Sequence, residues 1–412
     1  MKDHNYIEFL RLAVHNGYVI IEMFFFIQAA LSAKFAVLFA GSNEFYNYRH
    51  QADIMTIYQQ LLNHGFTADN IIQFAYDDIA DSSENPYKGK IFHTTDHTVN
   101  VYDASTITYS KKKVTAQQFY DTLTSLPTTS NDYVFIYYDN HGGSDILGVP
   151  DGCGDYITGE GLDATFKTMN DKGLYKYILF GVEACYAGSV AELIKSAPNM
   201  AIITASNNHE SSYAAVYDDD IGTYLTNEFT NNWLADVDAN PDEAVGDLYD
   251  HTKQQTQESH VSYYGDDAVK QQPIKNFLGT PQKITVRKSQ TVKSIAVPQM
   301  TATSATFAAG MKSKSPSIRA RARLAKSIYD SNHQRLVIAL EEIAKYVAPA
   351  KWSEMLNKKD SVHTPIYHEV LRVFLAKFGQ VNGDDLPLLV LFKNLAANYP
   401  KADIIKAINN IF

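Results

Sequence analysis

The sequence predicts an α/β protein in which a mainly parallel sheet is flanked by helices and followed by a small all-α region. Three observations carry the prediction. Short apolar runs bounded by polar turns recur along the first two thirds of the chain. Between them lie segments with apolar residues three and four apart, the spacing of one helix face. Beyond about Thr280 only the helical spacing remains. Strands that read as continuous apolar runs, separated by helices, belong in parallel sheets covered on both faces.

The residues before Met23 include Asp3, His4, Glu8 and Arg11. MFFFIQAALSA (23–33) then has the apolar core and small-residue end of a secretory signal, with cleavage expected at Ala30-Leu31-Ser32. The expectation is a natural start at Met23 and a mature chain without residues 1–33; a buried strand or N-terminal helix is the alternative. The runs KFAVLFA (34–40), NIIQFA (70–75), DYVFIYY (132–138), YKYILFG (175–181) and MAIITA (200–205) read as buried strands. ADIMTIYQQLLNHG (52–65) and TAQQFYDTLTSL (115–126) read as helices between them. Together they assign 34–282 to one α/β domain.

Residues 283–326 hold ten Lys or Arg and no Asp or Glu, with frequent Ser, Thr, Ala and Pro and weak apolar periodicity. They predict a basic linker or activation segment over 283–332. LVIALEEIAKYV (336–347), YHEVLRVFLAKF (367–378), LPLLVLFKNLAANY (386–399) and ADIIKAINNIF (402–412) predict a helical bundle over 333–412.

Hydrophobic content of 45% and charged content of 20% describe an ordinary globular chain. The net charge of −10 argues against a nucleic-acid partner. With Cys153 and Cys185 the only cysteines, a disulfide framework and a cysteine-rich metal site are excluded. No other run approaches the ~18 apolar residues a membrane span needs, so no integral anchor is expected.

Cys185 ends a predicted strand in VEACYAGS (182–189), and His141 ends the preceding one in DNHGG (139–143). Free cysteine is among the most buried residue types, so a packed core thiol is the plain reading of Cys185 alone. The pair changes that reading, because the functional crevice of such sheets lies beyond the carboxyl ends of the strands. Gly142 and Gly188 allow close backbone approach. A thiol nucleophile, an imidazole and backbone donors for an oxyanion are the minimal equipment for acyl transfer. Cys153, in PDGCGDY, reads as a loop thiol without a role.

GSNEFYNYRHQAD (41–53), YDDIADSSENP (76–86), DNHGG, EACYAGS (183–189), ESSYA (210–214) and SHVSYYG (259–265) resemble, in the same order, the legumains, the asparaginyl endopeptidases. The resemblance implies a caspase-like fold and a cysteine endopeptidase cutting after asparagine, and possible aspartate, made as an acid-activated zymogen. It implies Cys185 as nucleophile, His141 as general base and acid, and Asn47 as the residue that orients the imidazole. The N–H groups of Cys185 and Gly142 would form the oxyanion hole. Arg49 and Glu183 would be the specificity pocket, with His50 beside them and Ser211 and Ser212 as its wall. Peptides would be the substrates and the chain's own C-terminal prodomain its inhibitor, with no cofactor or metal. A secretory route to a lysosome- or vacuole-like compartment is implied as well.

The chain departs from the family in places. Asn227 stands where an acidic pocket residue is usual, with Glu228 next, so aspartate cleavage should be less confined to acid. Asn140 replaces the usual Asp before the histidine. The tail has no cysteine, and the sequence has no N-x-S/T sequon. Asn332, in SIYDSNHQ (327–334), is the expected autocleavage point, and Asn276 the second candidate. Acid is expected to release the basic strap from the acidic body. A transamidase or peptide ligase on the same scaffold, or a catalytically silent binding protein or adhesin, are the rival readings.

Overall fold

The computed structural model describes residues 32–282, 296–358 and 362–412, with the backbone of 11–15 and 18–22. Those last two segments form an antiparallel hairpin, Arg11–His15 with Tyr18–Glu22, a unit to itself. Of the expected signal, residues 23–31 lie outside the described residues.

Parallel strands β1 (Lys34–Ala40), β2 (Ile71–Phe74), β3 (Tyr133–Asp139), β4 (Tyr177–Glu183) and β5 (Met200–Thr204) form the central sheet. β6 (Tyr213–Asp218) and β7 (Thr223–Asn227) pair as a separate hairpin. β8 (Ser262–Gly265) joins the central sheet antiparallel to β5, giving the order β8-β5-β4-β3-β1-β2.

The helices of this part are α1 (Tyr48–Asn63), α2 (Ala116–Thr124), α3 (Gly159–Asp171), α4 (Ala187–Ala191), α5 (Glu228–Ala239), α6 (Val245–Gln255) and α7 (Lys275–Leu278). Strand alternation divides the apolar residues between two cores. Ala36, Leu38 and Ala40 pack with Ile54 and Leu61 of α1 and Trp233 of α5. Val37 and Phe39 face the other way, with Phe119 of α2 and Phe166 of α3. The continuous apolar runs follow from this, since neither face of the sheet meets water.

Beyond the peptidase-like body, β9 (Val297–Pro298) pairs antiparallel with β6. The rest is helical: α8 (Gln299–Gly310), α9 (Pro316–Val347), α10 (Trp352–Asn357), α11 (Ile366–Phe378), a 3-10 turn at Gly383–Leu389, α12 (Val390–Asn398) and α13 (Lys401–Ile411). Leu336, Ile343, Phe374, Leu391 and Ile404 share a core that also takes in Ile146 of the body. Among the described residues no helix is long and apolar enough to cross a membrane.

Two expectations need correction here. The stretch 283–332 was expected to be irregular, but beyond the undescribed 283–295 it is largely helical from Gln299 onward. Pro316 sits in the first turn of α9, where its missing N–H costs nothing, and RARARLAK consists mostly of strong helix formers. Its periodicity is faint because Ala322 is the only buried residue before Leu336. Asn332 consequently lies inside α9, half-buried, and is no open loop site. Asn276 lies in the helical turn α7.

Candidate active site

Sheet register brings three strand ends level, with Ala40 opposite Asp139 and Asp139 opposite Glu183. The chain leaves β3 through Asn140 and His141 and leaves β4 through Ala184 and Cys185. Asn140 fixes the first exit by donating its amide to the Gly41 carbonyl. An ionised aspartate could not donate there, which accounts for the amide before the histidine. After Cys185 the backbone turns through Tyr186, held in the left-handed region at φ 56 with its N–H on the Glu210 carbonyl at 2.8 Å. Such a conformation is uncommon outside glycine. Gly142 passes so close that a Cβ there would strike the Cys185 carbonyl.

His141 Nε2 lies 2.8 Å from Asn47 Oδ1, while Asn47 Nδ2 donates to the Asn43 carbonyl at 2.9 Å. An amide oxygen only accepts, so Nε2 carries the proton and Nδ1 is the nitrogen open to proton transfer. Burial, then the Arg49 guanidinium, hold His141 well below the usual histidine range. Burial pushes the Cys185 thiol up to about 11. Its Sγ lies 3.1 Å from Ser211 Oγ and 4.0 Å from Ser212 Oγ. Both shifts favour the neutral forms of the thiol and imidazole in this closed state.

Beside them is a buried pocket, and a side chain from the tail fills it. Gln299, fully buried, accepts at Oε1 from Arg49 Nη2 at 2.8 Å and from His50 Nε2 at 3.0 Å. Its Nε2 donates to Glu183 Oε1 at 2.9 Å and Ser212 Oγ at 2.7 Å. Its backbone N–H donates to the Ser212 carbonyl at 2.8 Å, continuing the β6–β9 pairing. The carboxamide is thus satisfied at both ends. His50 is kept neutral by burial and by Arg49, and Ser42 Oγ meets its Nδ1 at 2.7 Å.

Asn227 serves this pocket from behind. It accepts from Arg49 Nε at 3.0 Å and donates to Asp53 Oδ2 at 3.1 Å and Asp139 Oδ1 at 3.0 Å. Its amide thereby links the guanidinium to two buried carboxylates and does not touch the bound carboxamide. Glu228 points elsewhere, accepting from the backbone N–H of Gln257 at 3.1 Å. The pocket acid that meets the carboxamide is Glu183, whose pKa burial raises.

A second piece of the tail covers Cys185 and His141. A Cβ on Gly383 would run into the His141 ring, and one on Gly143 would meet the Leu386 carbonyl. Asp384 Oδ1 lies 3.2 Å from His141 Nδ1, the nitrogen that proton transfer requires. Tyr329 of α9 donates to Asp384 Oδ2 at 2.7 Å, and His333 lies 2.7 Å from Asp385 Oδ1. Under this cover Cys185 is 2% exposed and His141 3%.

The structure therefore gathers Cys185, His141, Asn47, Gly142, Arg49, His50, Glu183, Ser211 and Ser212 at one sheet edge, with Asn227 one layer back. Asn332 stands apart in α9, and Cys153 is buried against the Lys111 carbonyl, its Sγ 3.6 Å away. Sequence reasoning missed Gln299, Asp384, Asp53 and Asp139. Asp139 adjoins the DNHGG turn and could have been found there, but nothing local marks Gln299 in VPQMT. The described part of the basic strap lies on the body, through Gln299 in the pocket and Phe307 against Tyr46, their ring centroids 5.3 Å apart. Arg321 reaches the body at the Ser83 carbonyl, 3.0 Å away, near Glu84. Ion pairs across the two parts join Asp145 and Glu160 of the body to His363, His368 and Lys393 of the tail.

Cys185 and His141 thus stand at the carboxyl ends of the neighbouring strands β4 and β3 of a helix-flanked parallel sheet, the imidazole held by an amide. Comparison gives the family: the Peptidase C13 family pattern matches residues 34–280, and the chain belongs to that family. It is 34% identical over 258 residues to the legumain of Mus musculus, covering 59% of this chain and 58% of that protein. It is 35% identical over 269 residues to the hemoglobinase of Schistosoma japonicum, covering 62% and 63%. The vacuolar-processing enzyme delta-isozyme of Arabidopsis thaliana shares 33% over 279 residues, covering 61% and 59%. The matched part thus spans about three fifths of each relative.

Proposed function

We propose that the protein is an endopeptidase that cuts peptide bonds after asparagine, through a thioester on Cys185, and that its own C-terminal region inhibits it. The observation that carries the reading is the seated carboxamide of Gln299. A pocket with donors at one end and acceptors at the other selects an amide side chain, because any other leaves buried polar groups unpaired. The inhibitor enters as a substrate strand would, by main-chain pairing to β6.

With the tail displaced, a substrate asparagine replaces Gln299 between Arg49, His50, Glu183 and Ser212. His141 Nδ1 takes the Cys185 proton, and the thiolate attacks the carbonyl carbon. The N–H groups of Cys185 and Gly142 hold the oxyanion. His141 returns the proton to the leaving amine as the C–N bond breaks. It then removes a proton from water, which attacks the thioester and frees the acid and the thiol. Asn47 holds the ring in one tautomer throughout. The vacuolar name of one relative and the acid-sensitive histidines discussed below support an acidic compartment of the secretory route as its place of work.

The test is a peptide library cleaved by the processed protein, with product masses recorded. Cuts after asparagine are expected, with loss of turnover in Cys185→Ser and His141→Ala and little change in Cys153→Ala. Substantial activity in Cys185→Ala, or cuts with no amide preference, would overturn the reading.

A further inference from the structure

Away from the catalytic cleft, a second cluster of chemistry-bearing side chains joins the body to the tail. Glu160, in the first turn of α3, faces two histidines. His363 Nε2 is 2.7 Å from Glu160 Oε1, and His368 Nδ1 is 3.0 Å from Glu160 Oε2. One donor atom from each of the three residues lies within 4.8 Å of the others. We propose that Glu160, His363 and His368 form a divalent transition-metal site, of zinc type, that fastens the C-terminal helices to the peptidase body.

Two imidazoles and one carboxylate are a donor set that zinc-like ions favour, with a further position left for water. The surroundings resemble a prepared site. The other ring nitrogen of His363, Nδ1, lies 2.8 Å from Asp145 Oδ2, an outer carboxylate that would orient the ring and raise its basicity. Asp145 is itself immobilised: its backbone is left-handed at φ 61, and its N–H donates to Ser189 Oγ at 2.7 Å. Lys393 holds its other oxygen at 2.9 Å.

His368 is 3% exposed, and its Nδ1 is the atom that faces Glu160. An ion held at Nδ1 would give this buried ring a bond stronger than a hydrogen bond. Access is open as well. Glu160 is 41% exposed, and a cavity of about 600 Å³ between body and tail is lined by Glu160, His368, Thr158 and Arg372. No local pattern marks these three residues, since Glu160 is 203 residues from His363 and 208 from His368.

The test uses tag-free full-length protein carrying Cys185→Ser, which removes the thiol as a metal ligand and prevents self-cleavage. After chelator treatment it is titrated with Co²⁺ and Zn²⁺ at pH 7.5, followed by the visible Co²⁺ bands and by calorimetry. One ion per chain is expected, with a rise in thermal midpoint, because binding to the docked form stabilises it. Adding Glu160→Gln or His363→Gln should weaken binding more than tenfold, and Asp145→Asn about tenfold. Glu160→Gln keeps the test decisive if a histidine variant fails to fold, since Glu160 is partly exposed. The absence of a stoichiometric ion, or equal affinity in the Glu160→Gln protein, would overturn the proposal and leave a hydrogen-bonded clamp.

Discussion

Gln299 and a substrate asparagine differ by one methylene. When the carboxamide is anchored between Arg49 and Glu183, the longer side chain sets the following carbonyl farther from Cys185. Glutamine should thereby occupy the pocket without offering its peptide bond to the thiol. Gln299→Asn should therefore turn the inhibitor into a substrate, releasing a fragment that begins at Met300, visible by mass spectrometry. An intact chain after long incubation at acid pH would count against the substrate-like reading of β9. Asn227 carries a different expectation. Its amide donates to Asp53 and Asp139, so Asn227→Asp would set a third buried carboxylate against two. An uncompensated buried charge costs about 3–5 kcal/mol, and the denaturation midpoint should fall accordingly, less so in acid. A change in asparagine-to-aspartate preference without loss of stability would instead assign Asn227 to the pocket itself. A substrate aspartate would face Glu183, whose pKa burial raises, so the proton the two carboxyls share is held above the usual carboxylate range and aspartate cleavage should extend beyond strong acid.

At the level of elements, the 3-10 turn at Gly383–Leu389 is the piece that needs a glycine. Gly383→Ala would drive a methyl into the His141 ring, so the turn could no longer close. The expected outcome is a protein that folds, loses tail-dependent protection of Cys185 and labels faster with a thiol reagent. Unchanged labelling would show that the turn does not limit access. The central strands and the helices of the tail were legible because each buries one residue type at a fixed period. α9 was half legible: its C-terminal half buries Leu336, Leu340 and Ile343, while its basic first half buries Ala322 alone. Charge composition there resembled a linker because a helix lying mostly against water needs no apolar stripe. The residues of YNYRH and EACYAGS were legible because each lies in a contiguous motif. Gln299 and Asp384 were not, since their partners are Arg49 and His141, far away in sequence, and no local pattern encodes such a meeting.

For the whole molecule, the pH response follows from groups buried by docking. His141 and His50 are held well below the usual histidine range, each mainly by burial. A ring that cannot take a proton while docked favours release once the pH falls below about 6.5. One group opposes this: burial raises Asp384 to about 6, a shift that favours the docked form in acid and loses effect as pH rises through that value. His50 and His141 lie directly against Gln299 and Asp384 of the tail, so their depression sets the expected direction. Tail release, measured as fragment loss or thiol labelling against pH, should therefore increase near pH 6.5. A rise appearing only below about pH 4.5 would assign the switch to carboxylates instead. The peptide link between β8 and β9 has a consequence of another kind. While it is whole, Gln299 meets its pocket at an effective concentration in the millimolar range, whatever the amount of protein present. Once it is cut, the same contacts become a bimolecular equilibrium. A nicked preparation should then gain activity on simple dilution, and an unnicked one should not.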